Sequence, residues 1–94
     1  MKIEFDPTKD AINQVKHGIS LAMAEFLDWD TAMIEPDNRF EYGELRLTAT
    51  GLIDRKIYFV VFTETEQEEL LRIISLRNAT KPEVKRYVHY IEKW

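Results

Sequence analysis

Three arginines stand in stretches that otherwise alternate or run apolar. Arg46 lies among alternating residues, and Arg72 and Arg77 bracket Ile73-Ile74-Ser75-Leu76. Long charged side chains are unfavourable in a sheet unless their face is solvated or functional. Arginine presents a planar fork of donors that fits phosphate oxygens. Several on one face could therefore clamp a polyanion and stabilise the charge that develops on phosphorus during cleavage. The same arginines could instead lie on a solvated face, paired with Glu44, Glu64 or Glu68. Strict alternation sets Arg72 with Leu70, Ile74 and Leu76 and puts Arg77 on the opposite face. The two converge only if a bulge intervenes or Arg77 lies past the strand end.

Other chemistries find little support. There are no cysteines, which excludes disulfides, thiolate metal sites and cysteine nucleophiles. The two histidines, His17 and His89, have no carboxylates at ligand spacing, so no metal site is expected. Three scattered glycines make no phosphate-binding loop. His17 has two readings, a general acid or base or a cation closing a helix beside Gly18. Trp29, Trp94 and the tyrosines could stack on bases or serve as core and rim.

The elements that must position these residues read clearly. Residues 2–5 form a short strand. Asp6-Pro7 starts a helix, with Asp6 as N-cap and Pro7 in the first helical position. Ala11, Ile12 and Val15 recur at helical spacing and Gly18 ends the helix. Ser20 caps a second helix with Leu21, Ala24 and Leu27 on its apolar face. Residues 31–35 are a short strand, and Pro36-Asp37-Asn38 a turn.

Residues 44–50 alternate as a strand, and 51–55 lead into strand 56–63. That run is apolar on both faces, as in a central strand covered on two sides. Residues 70–77 are the last strand, and short connections imply antiparallel hairpins. Thr80-Lys81-Pro82-Glu83 is a capping box opening a C-terminal helix, with Val84, Tyr87, Val88 and Ile91 on one side. Two helices, a strand meander and a helix make an α+β fold with helices packed on an antiparallel sheet.

The chain has 94 residues with an ordinary globular composition, so residues 1–94 are expected to form one domain. No apolar run approaches a membrane span. An acidic residue and a proline interrupt the opening residues before any apolar region forms, which points away from a signal peptide and makes the cytoplasm the expected location. The net charge of −4 argues against non-specific nucleic-acid binding. A local cationic patch is still compatible with it.

Two separated strings then become informative. Phe5-Asp6-Pro7, with Lys9, Asn13 and Lys16-His17-Gly18-Ile19-Ser20, resembles the N-terminal signature of the BrnT toxin family. Arg72-Ile73-Ile74-Ser75-Leu76-Arg77-Asn78-Ala79-Thr80 resembles that family's later string. Arg46, before Gly51, stands where the family usually has an arginine. Leu21 replaces a usual Phe and Leu76 a usual Ala, and the C-terminal helix is mixed in charge where the family's is often basic.

The resemblance implies a RelE-like ribonuclease, with two N-terminal helices and one C-terminal helix on an antiparallel sheet. It implies RNA cleavage without a metal or other cofactor, in which the substrate's own 2′-hydroxyl attacks the adjacent phosphate. Arg72 and Arg77 would bind phosphate and stabilise the transition state. His17 or Lys16 would transfer a proton, Glu64 would be a base, and Arg46, Lys16 and Lys9 would hold RNA. The implied partner is a BrnA-like ribbon-helix-helix antitoxin, with operator DNA bound only through it. The acidic balance favours an alternative, a non-catalytic module that binds antitoxin and acts as co-repressor.

Overall fold

The computed structural model describes residues 1–39, 41 and 43–94. The elements run β1 (Lys2–Glu4), α1 (Pro7–His17), a 3-10 helix (Leu21–Phe26), β2 (Met33–Pro36), β3 (Leu47–Ile53), β4 (Lys56–Glu64), β5 (Leu70–Asn78) and α2 (Lys81–Glu92). The strands form one sheet in the order β1-β5-β4-β3-β2. β2, β3, β4 and β5 pair antiparallel, while β1 lies parallel to β5 at the sheet edge. A parallel neighbour needs a long connection, and residues 5–69 lie between β1 and β5.

Local signals act as expected at the helix ends. The Asp6 carboxylate accepts from the Thr8 N–H at 2.9 Å, and Gly18 closes α1 at φ 70°. A side chain at that φ is strained, which explains the glycine. Thr80 and Glu83 exchange both bonds of the capping box. The second helix, capped by Ser20, is 3-10 rather than α. Arg46 precedes β3 rather than lying inside a strand. Its carbonyl accepts from the Asp37 N–H at 2.8 Å, tying together the two ends of the loop between β2 and β3.

The core lies between one sheet face and the N-terminal helices. It joins Leu21, Ala24 and Leu27 to Ala49, Val60, Phe62, Ile73 and Leu76. Trp29 stands edge-on to Phe62 at 5.2 Å and donates from Nε1 to the Ala24 carbonyl at 2.9 Å, so it is a packing residue. Trp94 is exposed, edge-on to Tyr90.

α1 departs from its apolar pattern. Ala11, Ile12 and Val15 face solvent, and the buried residue of this helix is Asn13. The reason lies in β5, whose edge beyond Arg72 has no neighbouring strand among the described residues. The Asn13 side chain takes that place. Its Oδ1 accepts from the Leu76 N–H at 3.1 Å, and its Nδ2 donates to the Leu76 carbonyl at 2.8 Å and the Ile19 carbonyl at 2.9 Å. A primary amide carries the donor and acceptor that a strand would have offered.

Candidate functional site

The arginines of β5 share a face because the strand is irregular. Val61 pairs with Ser75 and Phe62 with Ile73, so Ile74 is an extra residue, a β-bulge. Before the bulge Arg72 stands opposite Thr63, and after it Arg77 stands opposite Phe59. Thr63, Val61 and Phe59 alternate with the core residues Phe62 and Val60. Both arginines therefore point to the face away from the core. One residue of slip flips a side chain across the sheet, and here it reunites the pair.

Arg72 lies at an open edge. Its Nε donates to Glu4 Oε2 at 2.8 Å across the β1–β5 register, and its side chain is 54% exposed. A cleft of about 330 Å³ on one side of it is lined by Asp6, Lys9 and Glu44. A second, of about 430 Å³, is lined by Glu4, Glu64 and Gln67. Glu44 in turn accepts from Arg46 Nε at 3.3 Å. The structure thus gathers Arg72, Lys9 and Glu64 around two adjoining clefts, with Arg46 linked through Glu44.

Arg77 lies in a more enclosed cluster under α2. Its guanidinium stacks over Phe59, 4.3 Å from the ring centroid, and forks onto Glu83 at 2.8 and 3.0 Å. Arg39 approaches the same ring at 5.6 Å and forks onto the buried Asp37 at 2.7 and 2.9 Å. Arg86 of α2 pairs with Glu35 of β2. Glu35, Asp37, Arg39, Phe59, Glu83 and Arg86 line a cleft of about 200 Å³ beside Arg77. Burial pushes the Glu83 carboxyl up. Hydrogen bonds from Arg77 and from the Thr80 N–H, together with the Arg77 charge, outweigh that and hold it below the usual carboxylate range.

Two expected residues lie apart from both clusters. Lys16 and His17 are exposed in the last turn of α1, about 12 Å along the helix from Lys9. That position suits the helix-closing role of His17. Among the described residues, no group of three or more histidines and carboxylates is placed to hold a metal ion.

Sequence reasoning missed Arg39, Arg86, Glu4 and the pedestal Phe59. Phe59 is indistinguishable from its apolar neighbours in sequence. Arg86 carried a faint signal, three residues after Glu83 and so on its side of the helix.

The profile of the family described as "Ribonuclease toxin, BrnT, of type II toxin-antitoxin system" matches residues 5–83. The chain belongs to the BrnT family. The crystal structure of the Brucella abortus ribonuclease toxin BrnT is 32% identical to it, covering 86% of this chain and 99% of that one, with a TM-score of 0.67. No curated protein matches the chain significantly. The family match includes Arg39, Arg46, Arg72 and Arg77, and it leaves out Glu4 and most of α2 with Arg86.

Proposed function

We propose that this BrnT chain is an endoribonuclease whose reaction centre is the open edge at Arg72. The observation that carries this reading is the placement of Arg72 between Lys9 and Glu64, with a cleft on either side. Single-stranded RNA laid across the edge would set a phosphate on the Arg72 fork. The Glu64 carboxylate takes the proton of the 2′-hydroxyl, whose oxygen then attacks the adjacent phosphorus. The bond from phosphorus to the 5′-oxygen breaks, and Lys9 gives that oxygen a proton. The products are a 2′,3′-cyclic phosphate and a 5′-hydroxyl end. Arg72 neutralises the charge that grows on the phosphoryl oxygens.

This chemistry needs no metal, because guanidinium and ammonium groups supply the positive charge. Lys9 takes the acid role here in place of His17 or Lys16, which lie too far along α1. Arg46 would contact RNA beside the cleft, and Arg77 would serve the RNA path further along β5. The cell would hold the toxin with a BrnA-like ribbon-helix-helix antitoxin in the cytoplasm, and operator DNA would be bound through that partner.

One observation favours a second reading. Among the described residues, five arginines are paired with carboxylates: Arg39, Arg46, Arg72, Arg77 and Arg86. A chain with its arginines largely matched would serve as a non-catalytic antitoxin-binding co-repressor. Expression in bacteria, with growth and total RNA followed together, separates the two. The first reading expects arrest with RNA degradation that Arg72→Ala/Arg77→Ala loses. Intact RNA and normal growth from soluble wild-type protein support the second. Cleavage by purified protein in excess EDTA tests metal independence.

A further inference from the structure

The outward face of α1 is an apolar surface that the fold does not use. A surface helix ordinarily turns its apolar stripe to the core, and α1 does the reverse. Ile12 is 50% exposed and Val15 88%, while Asn13 is turned inward. Helical spacing joins Thr8, Ala11, Ile12 and Val15 into one continuous face. Lys9 and Lys16 run along one border of it.

The single acidic residue of α1, Asp10, is turned away from this face. It accepts from the Leu21 N–H at 2.7 Å, the Ser20 hydroxyl at 3.0 Å and Gln14 Nε2 at 3.1 Å. The bond from Leu21, followed by those from Ser20 and Gln14, overcomes desolvation and holds its carboxyl below the usual range. The face is thus apolar with a cationic border, on a chain whose net charge is −4.

We infer that this face is the docking site for the toxin's protein antitoxin, through an apolar segment of that partner bearing acidic residues that meet Lys9 and Lys16. The inference rests on the reading of the chain as a type II toxin. Charge complementarity selects the occupant. A second copy would bring lysines and no carboxylate to the face, and a nucleic acid has nothing to bury Ile12 and Val15 against. Lys9 also lines the cleft beside Arg72. A carboxylate seated on Lys9 therefore competes with substrate, so docking on α1 and neutralisation become one event.

The test is Ile12→Glu/Val15→Glu, with Ile12→Ala/Val15→Ala beside it. All four substitutions are at exposed positions and go to residues of equal or better helix propensity, and circular dichroism melts verify folding. The probe is the product of the reading frame adjacent to this gene, titrated against wild-type and variant toxin. The expected result is at least about 100-fold weaker binding for the glutamate variant, and a smaller loss with unchanged RNA cleavage for the alanine variant. Binding within twofold of wild type for the folded glutamate variant overturns the inference. So does a wild-type toxin that self-associates through this face, with the variant monomeric and antitoxin affinity unchanged. If wild-type protein cuts no RNA yet loses antitoxin with the glutamate pair, the docking site stands and the ribonuclease proposal fails.

Discussion

Arg72 and Arg77 lie five residues apart on one strand and one face, yet their surroundings differ. Arg72 is at an edge next to the three-residue strand β1, paired with Glu4 and with open clefts on both sides. Arg77 is held by a ring below it, a bidentate carboxylate beside it and α2 above. An exposed pair is worth little and is easily exchanged for a phosphate. A stacked, forked and partly buried guanidinium contributes to folding and gives up its partner less readily. The comparison separates a cation available for chemistry from one committed to structure.

The largest expected effect that sharpens this contrast is on activity. Arg72→Ala should lower RNA cleavage by about 100-fold or more and shift the thermal midpoint by no more than a few degrees. Single-turnover cleavage and a melt on the same preparation check both halves. An Arg72→Ala protein that cuts like wild type removes it from the reaction centre.

Next is the residue that holds the bulged edge. Asn13→Leu strips partners from the Leu76 N–H and the carbonyls of Leu76 and Ile19. It should cost about 3 kcal/mol, lowering the midpoint by roughly 15 °C. Denaturant unfolding measures it. A loss below about 1 kcal/mol would mean that the amide does not stand in for a strand.

Arg77→Ala should show the converse of Arg72→Ala, with about 1–2 kcal/mol of stability lost and a smaller fall in cleavage. The same two assays read it, and a purely catalytic defect would erase the contrast between the two ends of β5.

The smallest effect concerns acid. Glu83 has its carboxyl held below the ordinary value of 4.5. Its ionised form therefore stabilises the fold above that value, and the contribution is lost as pH falls from about 4.5 through the lower folded value. Glu83→Gln keeps a capping-box side chain but should flatten this part of the acid limb in melts taken across pH 5 to 3. An unchanged slope would show that the Arg77–Glu83 pair is not what acid breaks.

Much of the architecture was legible because it is written in local chemistry. Asp6-Pro7, Gly18 and the Thr80–Glu83 box each satisfy orphan helix-end groups, which depends only on neighbours in the chain. The apolar run of β4 marked the central strand for a similar reason, since burial on both faces leaves no polar alternation. Two motif strings also identified the family. The parallel placement of β1 and the position of α2 on the Phe59 side of the sheet did not follow from local pattern, because both depend on pairings far apart in sequence.

The site was legible only in part. Residue types alone pointed to Arg72, Arg77 and the phosphate chemistry they suit, and the alternation rule stated what had to happen for them to meet. Tertiary structure decided that it does happen, through the extra residue Ile74 against Val61 and Phe62. It also decided that α1 turns Asn13 inward and Ile12 and Val15 outward, against the apolar pattern. Hydrophobic periodicity reports which residues prefer burial, whereas an open strand edge demands hydrogen bonds, and at Leu76 that demand outweighed the preference.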